Sequence, residues 1–186
     1  MESSGIYIYL IPLVALALIG LVIFLVTKAL KKCTKSKRKA LVTSIACFLT
    51  VAVSWVFNMG WYRFGLIVVF PVIPIIGTGM LFLTNVAAAS CFEHSRRIKA
   101  LNLLFIITYL VGNLLFPDGG DIGGMYFFFG LIRSNALAYV ASAISGLAFV
   151  IHIGLFIWQI AEISNLKSRL KKKAETVAGE IENTDS

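Results

Sequence analysis

Three polar residues stand seven positions apart in a strongly apolar stretch of this 186-residue chain. They are Ser145, His152 and Gln159, and this spacing places them along one side of an α-helix. An ionisable group such as His152 inside a membrane helix suggests a proton or ion path. The alternative is a neutral imidazole that hydrogen-bonds a neighbouring helix. We favour the alternative, because the predicted spans described below contain no Asp or Glu that would continue a proton path.

Few amide side chains are placed to join this histidine. Asn85 and Gln159 lie in the inner halves of their predicted spans, and Asn102 lies nearer the membrane surface. The sequence therefore predicts a polar intramembrane seam of Ser145, His152, Gln159 and Asn85.

A second stripe on the same predicted helix consists of small residues. Small side chains at intervals of about four let two membrane helices approach closely. This stripe predicts a helix-packing surface beside the polar seam. Its members are Ala138, Ser142, Gly146 and Gly154.

The same residues do not fit the catalytic sites of membrane enzymes. Ser145 and His152 would lie about 10 Å apart on one helix, too far for a nucleophile and its base. A lone histidine provides neither paired haem ligands nor the His-Glu-x-x-His pattern of a zinc protease. Cys33, Cys47 and Cys91 form no CxxC motif and no metal-ligand spacing. We therefore expect no enzyme activity, no metal and no cofactor.

Composition indicates a single membrane domain. Hydrophobic residues make up 59% of the chain and charged residues only 14%, whereas soluble domains carry about a quarter charged residues. The net charge of +8 is concentrated in blocks beside apolar runs. Anionic lipid headgroups, rather than nucleic acid, are the expected partners of such blocks.

The apolar runs predict an all-α bundle of five transmembrane helices, since each run is long enough to cross or nearly cross a bilayer. The first run follows an acidic leader and is too long for a cleavable signal peptide. An interfacial loop at 117–135 connects the last two spans, and the polar tail at 174–186 is expected to be disordered. The predicted spans are residues 6–27, 40–57, 64–92, 100–116 and 136–160.

Basic residues set the orientation, because Lys and Arg are retained on the cytoplasmic side. With five spans, the clusters at 28–39, 96–99 and 167–173 fall on one side and hold fifteen of the seventeen basic residues. Arg63 and Arg133 fall on the other. The sequence predicts an amino terminus outside and a carboxyl terminus in the cytoplasm.

The third predicted span contains a helix-breaking pattern. Pro71 and Pro74 lie in its outer half, followed by Gly77 and Gly79. Each proline removes a helical donor and crowds the preceding turn. The pattern fits a broken helix that lines a cavity, or a kinked and tilted helix, which we favour.

The outer loop collects much of the charge on its side of the membrane. It contains Asp118 and Asp121 among four glycines, and we expect Arg133 or Arg63 to pair with one of these aspartates and hold the loop as a lid. The apolar run at 125–132 would measure about 12 Å as a helix, too short to span. Two aspartates are few ligands for a calcium site.

These features predict a non-catalytic integral membrane protein that acts through intramembrane protein–protein contacts, as an accessory or assembly subunit or an immunity-type protein. The alternative is a small oligomeric channel or transporter with a polar path along the fifth helix. Expected partners are the bilayer, anionic headgroups on the cytoplasmic side, and a membrane protein or a second copy. The chain has no Asn-x-Ser/Thr acceptor, which favours a bacterial cytoplasmic (inner) membrane.

Overall fold

A computed structural model describes residues 34–70, 72–119 and 124–184, with side chains described as far as residue 177. The predicted first span, residues 6–27, lies outside these ranges, as do Pro71 and Asp121. The described part is helical apart from a very short hairpin. Its elements are α1 (Lys35–Phe57), α2 (Trp61–Val68), α3 (Val72–Ala89), α4 (Arg96–Leu115), β1 (Tyr126–Phe127), β2 (Ile132–Arg133) and α5 (Asn135–Thr184).

Within these ranges, α1, α3, α4 and α5 are each long and apolar enough to cross a membrane. The prediction of an all-helical protein is therefore confirmed, with four described helices that are long and apolar enough to span a membrane. The shortest of the four, α3, has 18 residues, or about 27 Å at 1.5 Å per residue. That length nearly matches a hydrocarbon core of about 30 Å.

Consecutive long helices run antiparallel. Ser36, at the start of α1, donates to the carbonyl of Ala89 at the end of α3, and Arg97, at the start of α4, approaches Glu162 far along α5. Residues 35–39, 96–99 and 167–173 consequently gather at one end of the bundle, which we call the basic end. Arg63 lies at the other, which we call the Arg63 end.

The α4–α5 pair forms the most extensive interface of the described bundle. Gly112 of α4 allows this close contact, because a Cβ there would lie only 3.0 Å from the ring of Phe149. The buried positions of α5 recur at intervals of three or four residues, the spacing of a helix that packs along one seam. They are Ala138, Ala141, Ser145, Ala148, His152, Leu155, Gln159 and Ile163.

The predicted third span, 64–92, is two helices rather than one. The helix α2 ends at Val68 and α3 begins at Val72. A proline at position 71 has no N–H for a helical hydrogen bond, and it disfavours helical geometry at the residue before it. Pro74 falls in the first turn of α3, where no such donor is needed. Gly77 and Gly79 continue α3 without interruption.

The connection between α4 and α5 contains a hairpin in place of the short helix considered for 125–132. Phe127 pairs with Ile132 across the hairpin, and an isolated bridge joins Asp118 to Tyr126. The turn has positive φ at Phe128 (50°), Phe129 (60°) and Gly130 (72°). Left-handed geometry costs about 1–2 kcal/mol at each non-glycine residue, so the contacts around the turn must offset that strain.

The helix α5 continues well past the bundle to Thr184, whereas composition predicted a disordered tail at 174–186. Ten of the thirteen residues at 166–178 are Lys, Arg, Leu, Ala or Glu, which have high intrinsic helix propensity. Lys171 and Glu175 add an i,i+4 ion pair at 3.7 Å, which contributes a few tenths of a kcal/mol. Helix propensity therefore determines the structure of this segment more than its polar composition does.

Candidate functional site

A chain of buried side-chain hydrogen bonds connects the four long helices near the basic end. We call it the amide network and define it as Ser44, Asn85, Asn102 and Gln159. Gln159 Nε2 of α5 donates to Asn102 Oδ1 of α4 at 2.8 Å, and Asn102 Nδ2 donates to Asn85 Oδ1 of α3 at 2.8 Å. Asn85 Nδ2 then donates to Ser44 Oγ of α1, also at 2.8 Å.

The network ends on the backbone of α1. Asn85 Nδ2 donates to the carbonyl of Ala40 at 2.8 Å, and Ser44 Oγ donates to the same carbonyl at 3.1 Å. All four network residues are at most 4% exposed. Gln159 Oε1 and the nearby hydroxyl of Thr84 have no partner among the described residues. An unpaired buried polar atom is costly, so these two acceptors are places for a water molecule or another donor.

His152 does not join the amide network. Its Nδ1 lies 3.1 Å from the carbonyl oxygen of Phe105 and 3.2 Å from Thr108 Oγ1. A carbonyl only accepts, so Nδ1 carries the proton in the neutral ring. The imidazole also stacks on Phe105, with ring centroids 4.0 Å apart. His152 Nε2 is left as a buried acceptor without a partner in the described part of the chain.

The predicted polar seam on α5 is therefore a line of attachments to α4. Ser145 Oγ donates to the carbonyl of Gly112 at 2.7 Å, His152 bonds Phe105, and Gln159 bonds Asn102. Asn85 meets Gln159 only through Asn102. The three seam residues of α5 share a face, as their spacing predicted, but they do not bond one another, because seven residues separate them by about 10 Å.

At the other end of the bundle, Arg63 of α2 points inward and is fully buried. Its Nη1 donates to the carbonyl of Ser54 at 3.2 Å. Its Nη2 donates to the carbonyls of Asn113 at 3.2 Å and Phe116 at 2.6 Å. These carbonyls lie at the carboxyl-terminal ends of α1 and α4, where cations are favoured.

Burial lowers the pKa of the Arg63 guanidinium to about 10, and the nearby Asp118 carboxylate acts in the opposite direction. The side chain therefore keeps its charge at neutral pH. Its ring neighbours are Trp55 and Phe116, whose centroids lie 5.6 Å and 5.9 Å from the guanidinium carbon. Both distances fit cation–π attraction.

Asp118 is fully buried beside Arg63 and accepts only backbone N–H groups within the described residues. Its Oδ2 accepts from Gly60 at 3.0 Å and Arg63 at 2.9 Å. Its Oδ1 accepts from Tyr62 at 3.1 Å and Gly119 at 2.8 Å. A carboxylate at a helix amino terminus is favourable, and here it comes from a distant loop. We call Arg63, Asp118 and the helix ends that they bind the end cap.

Gly60 makes the end cap possible. A Cβ at this position would lie 2.5 Å from Asp118 Oδ1 and 2.6 Å from the carbonyl oxygen of Gly119. No larger residue fits without moving the carboxylate. This glycine is required by close approach, since its φ of −130° suits any residue.

The predicted lid takes a different form from an Arg–Asp ion pair. The Arg63 guanidinium binds carbonyls, and the Asp118 carboxylate binds N–H groups, including the N–H of Arg63 itself. Arg133 lies exposed on β2, paired through its backbone with Tyr126. Asp121 lies outside the described residues. Sequence reasoning paired charge with charge, whereas the helix ends supply many closer partners.

Sequence reasoning also missed the central role of Asn102, which it placed nearer the surface, and the contributions of Ser44 and Thr108. Hydrophobic patterning finds helices but not their neighbours, so no signal joined these residues. Among the described residues, no group of three or more His, Cys, Asp or Glu side chains could hold a metal ion. Comparisons with protein families, curated proteins and solved structures find no match to this chain.

We predict that Asn102→Leu lowers the free energy of unfolding in detergent by about 1–2 kcal/mol, since hydrogen bonds between membrane helices contribute about 0.6 kcal/mol on average. Gln159 and Asn85 would each lose a partner. Asn165→Leu, at an exposed position of α5, is the matched control and should change little. Combining Asn102→Leu with Gln159→Leu should cost less than the sum of the two single changes. Strict additivity would argue against the network.

We also predict that Arg63→Ala destabilises the fold far more than Arg133→Ala. Removing the buried guanidinium leaves three carbonyls and the Asp118 carboxylate poorly compensated, at a cost of about 3–5 kcal/mol. The exposed Arg133 should contribute less than about 1 kcal/mol. Thermal unfolding of both variants in detergent measures the difference. Equal effects would contradict the burial and bonding described for Arg63.

Proposed function

We propose that this chain is a non-catalytic, multi-pass membrane protein that acts through protein–protein contacts within the bilayer, made by the outward face of α5. The supporting observation is the small-residue stripe. Ser142, Gly146 and Gly154 are exposed, and a Cβ on either glycine would meet no atom of the described residues within 4 Å. Ala138, the fourth member, is buried against the bundle instead.

The direction of the polar side chains supports the same proposal. Ser145, His152 and Gln159 turn into the bundle, and the exposed residues around the stripe include Leu147 and Val150. An apolar helix face with small residues in it allows a second membrane helix to approach closely. Among the described residues of α5, positions 135–161 include no Asp, Glu, Lys or Arg.

The proposed topology follows from the basic end. Fifteen of seventeen basic residues belong to the clusters at 28–39, 96–99 and 167–173, and the described members of all three lie at one end of the bundle. We propose that this end faces the cytoplasm of a bacterial cell and contacts anionic headgroups. A fifth span at 6–27 would place the amino terminus outside.

We predict that a photo-crosslinking residue at Val150, between Gly146 and Gly154, forms an adduct of defined mass with a membrane protein or a second copy. Gly146→Leu and Gly154→Leu should abolish that adduct without lowering thermal stability, since a side chain at either position would meet no described residue. A crosslinker at Leu83, highly exposed on α3, is the control and should yield no such adduct.

Two outcomes would refute this interface. One is a crosslink from Val150 to residues 6–27 of the same chain, which would make the stripe an internal packing surface. The other is an adduct that survives both leucine substitutions.

A polar path along α5 is the second candidate, and it is favoured by His152 Nε2 and Gln159 Oε1, two acceptors without a partner among the described residues. The first proposal predicts that purified protein in liposomes gives no ion or proton flux above that of empty liposomes. A flux that is present with the native chain and lost with His152→Ala would instead support a channel.

A further inference from the structure

The connector between α1 and α3 has an apolar exposed surface. Arg63 is the one charged residue between positions 58 and 71, and its side chain is fully buried. The exposed side chains of α2 are aromatic or aliphatic. They are Trp61, Tyr62, Phe64, Ile67 and Val68.

This surface continues the exposed faces of the helices on either side. Val56 and Phe57 end α1, and Val72 and Ile73 begin α3, and all four are more than half exposed. The apolar exterior therefore runs without a polar boundary from α1 through α2 into α3. The medium that surrounds the exposed faces of α1 and α3 therefore also contacts α2.

The amino-terminal N–H groups of α2 are all bound by the protein itself. Asp118 accepts from Gly60, Tyr62 and Arg63, and the carbonyl of Gly119 accepts from Trp61 at 3.1 Å. A helix that begins in water can leave these groups to solvent. A helix that begins in lipid cannot, because each unsatisfied group costs several kcal/mol there.

The carboxyl-terminal ends of α1 and α4 follow the same pattern. Arg63 binds carbonyls of both, and Asn58 N–H donates to the Ser54 carbonyl at 2.9 Å. Three helix ends thus meet at the end cap, where Arg63, Asp118 and backbone groups of the protein supply hydrogen-bond partners. Ionisable groups inside membranes face the protein interior and bind polar partners there, as Arg63 and Asp118 do, although Arg63 Nε has no partner among the described residues.

We propose that α2 and the end cap lie at the hydrocarbon boundary of the bilayer, with the exposed face of α2 in contact with lipid. Helix length agrees, since α3 at about 27 Å fits within a hydrocarbon core of about 30 Å and leaves its first residue, beside α2, at the boundary. Trp61 and Tyr62 are the amphipathic aromatic residues that favour this level. The connector is an interfacial helix rather than an aqueous loop.

Spin labels in lipid vesicles test the depth of α2. Single cysteines replace Phe64 and Ile67 in a chain that also carries Cys33→Ala, Cys47→Ala and Cys91→Ala. Collisions with oxygen, which concentrates in lipid, are compared with collisions with a water-soluble nickel chelate. Leu83→Cys on α3 is the lipid-facing control, and Lys171→Cys on the extension of α5 is the aqueous control.

The proposal expects labels at 64 and 67 to collide more with oxygen than with the chelate, as at 83, and opposite behaviour at 171. Labels at 64 and 67 that match the one at 171 would overturn it. Protection from both reagents would also overturn it, because a protein partner would then cover α2.

A second measurement uses the chain with its native cysteines, in case their replacement disturbs the fold. Trp61 emission, taken as the difference between the native protein and Trp61→Phe, should be quenched by lipids brominated near the headgroup end of the acyl chain. Quenching by aqueous iodide alone would contradict a lipid-facing α2.

Discussion

The two side-chain hydrogen bonds of Asn102 fix how the long helices sit against one another. Its oxygen accepts from α5 and its nitrogen donates to α3, and α3 continues the chain of bonds to α1. Apolar contacts alone discriminate poorly between helix registers in lipid, since lipid tails are as apolar as leucine. A buried amide does discriminate, because sliding α4 along its neighbours would leave costly unpaired groups on three helices.

The end cap also provides buried polar groups with hydrogen-bond partners, here from charged side chains. At the basic end, the buried groups that need hydrogen-bond partners are side-chain amides, and each of them bonds the next. At the Arg63 end the unmet groups are backbone atoms at helix termini. A guanidinium with several donors and a carboxylate with two acceptor oxygens suit these clusters. Polar contacts therefore stabilise both ends of the bundle, and the stacked pair His152 and Phe105 lies between them.

Features that depend on local sequence were predictable. Apolar runs located α1, α4 and α5, and a spacing of seven placed Ser145, His152 and Gln159 on one buried face. Proline at 71 predicted a disturbance but not its form, because two separate helices and one kinked helix differ in long-range contacts. Composition gave too much weight to polarity at 174–184, where helix propensity is high.

Features that depend on pairing between distant segments were not predictable. In the sequence, nothing distinguishes Asn102 from any asparagine near the start of a helix. Its role becomes visible only when the positions of α3 and α5 beside it are known. Likewise, two aspartates and two arginines near one end of a bundle suggest ion pairs. Only the fold reveals that helix termini are nearer to Arg63 and Asp118 than either side chain is to its opposite charge. The strained turn at Phe128 and Phe129 has no comparable signal in the sequence.

The position of Asp118 has a consequence for the order in which the chain is assembled. The amino-terminal N–H groups of α2 depend on a carboxylate that lies 58 residues beyond Gly60. During synthesis, α1, α2, α3 and α4 are therefore all made before this acceptor exists. Until Asp118 is made, water at the membrane surface must accept the hydrogen bonds of the N–H groups at the start of α2. The Arg63 end can therefore form its final contacts only late in biogenesis, after α4 has been made.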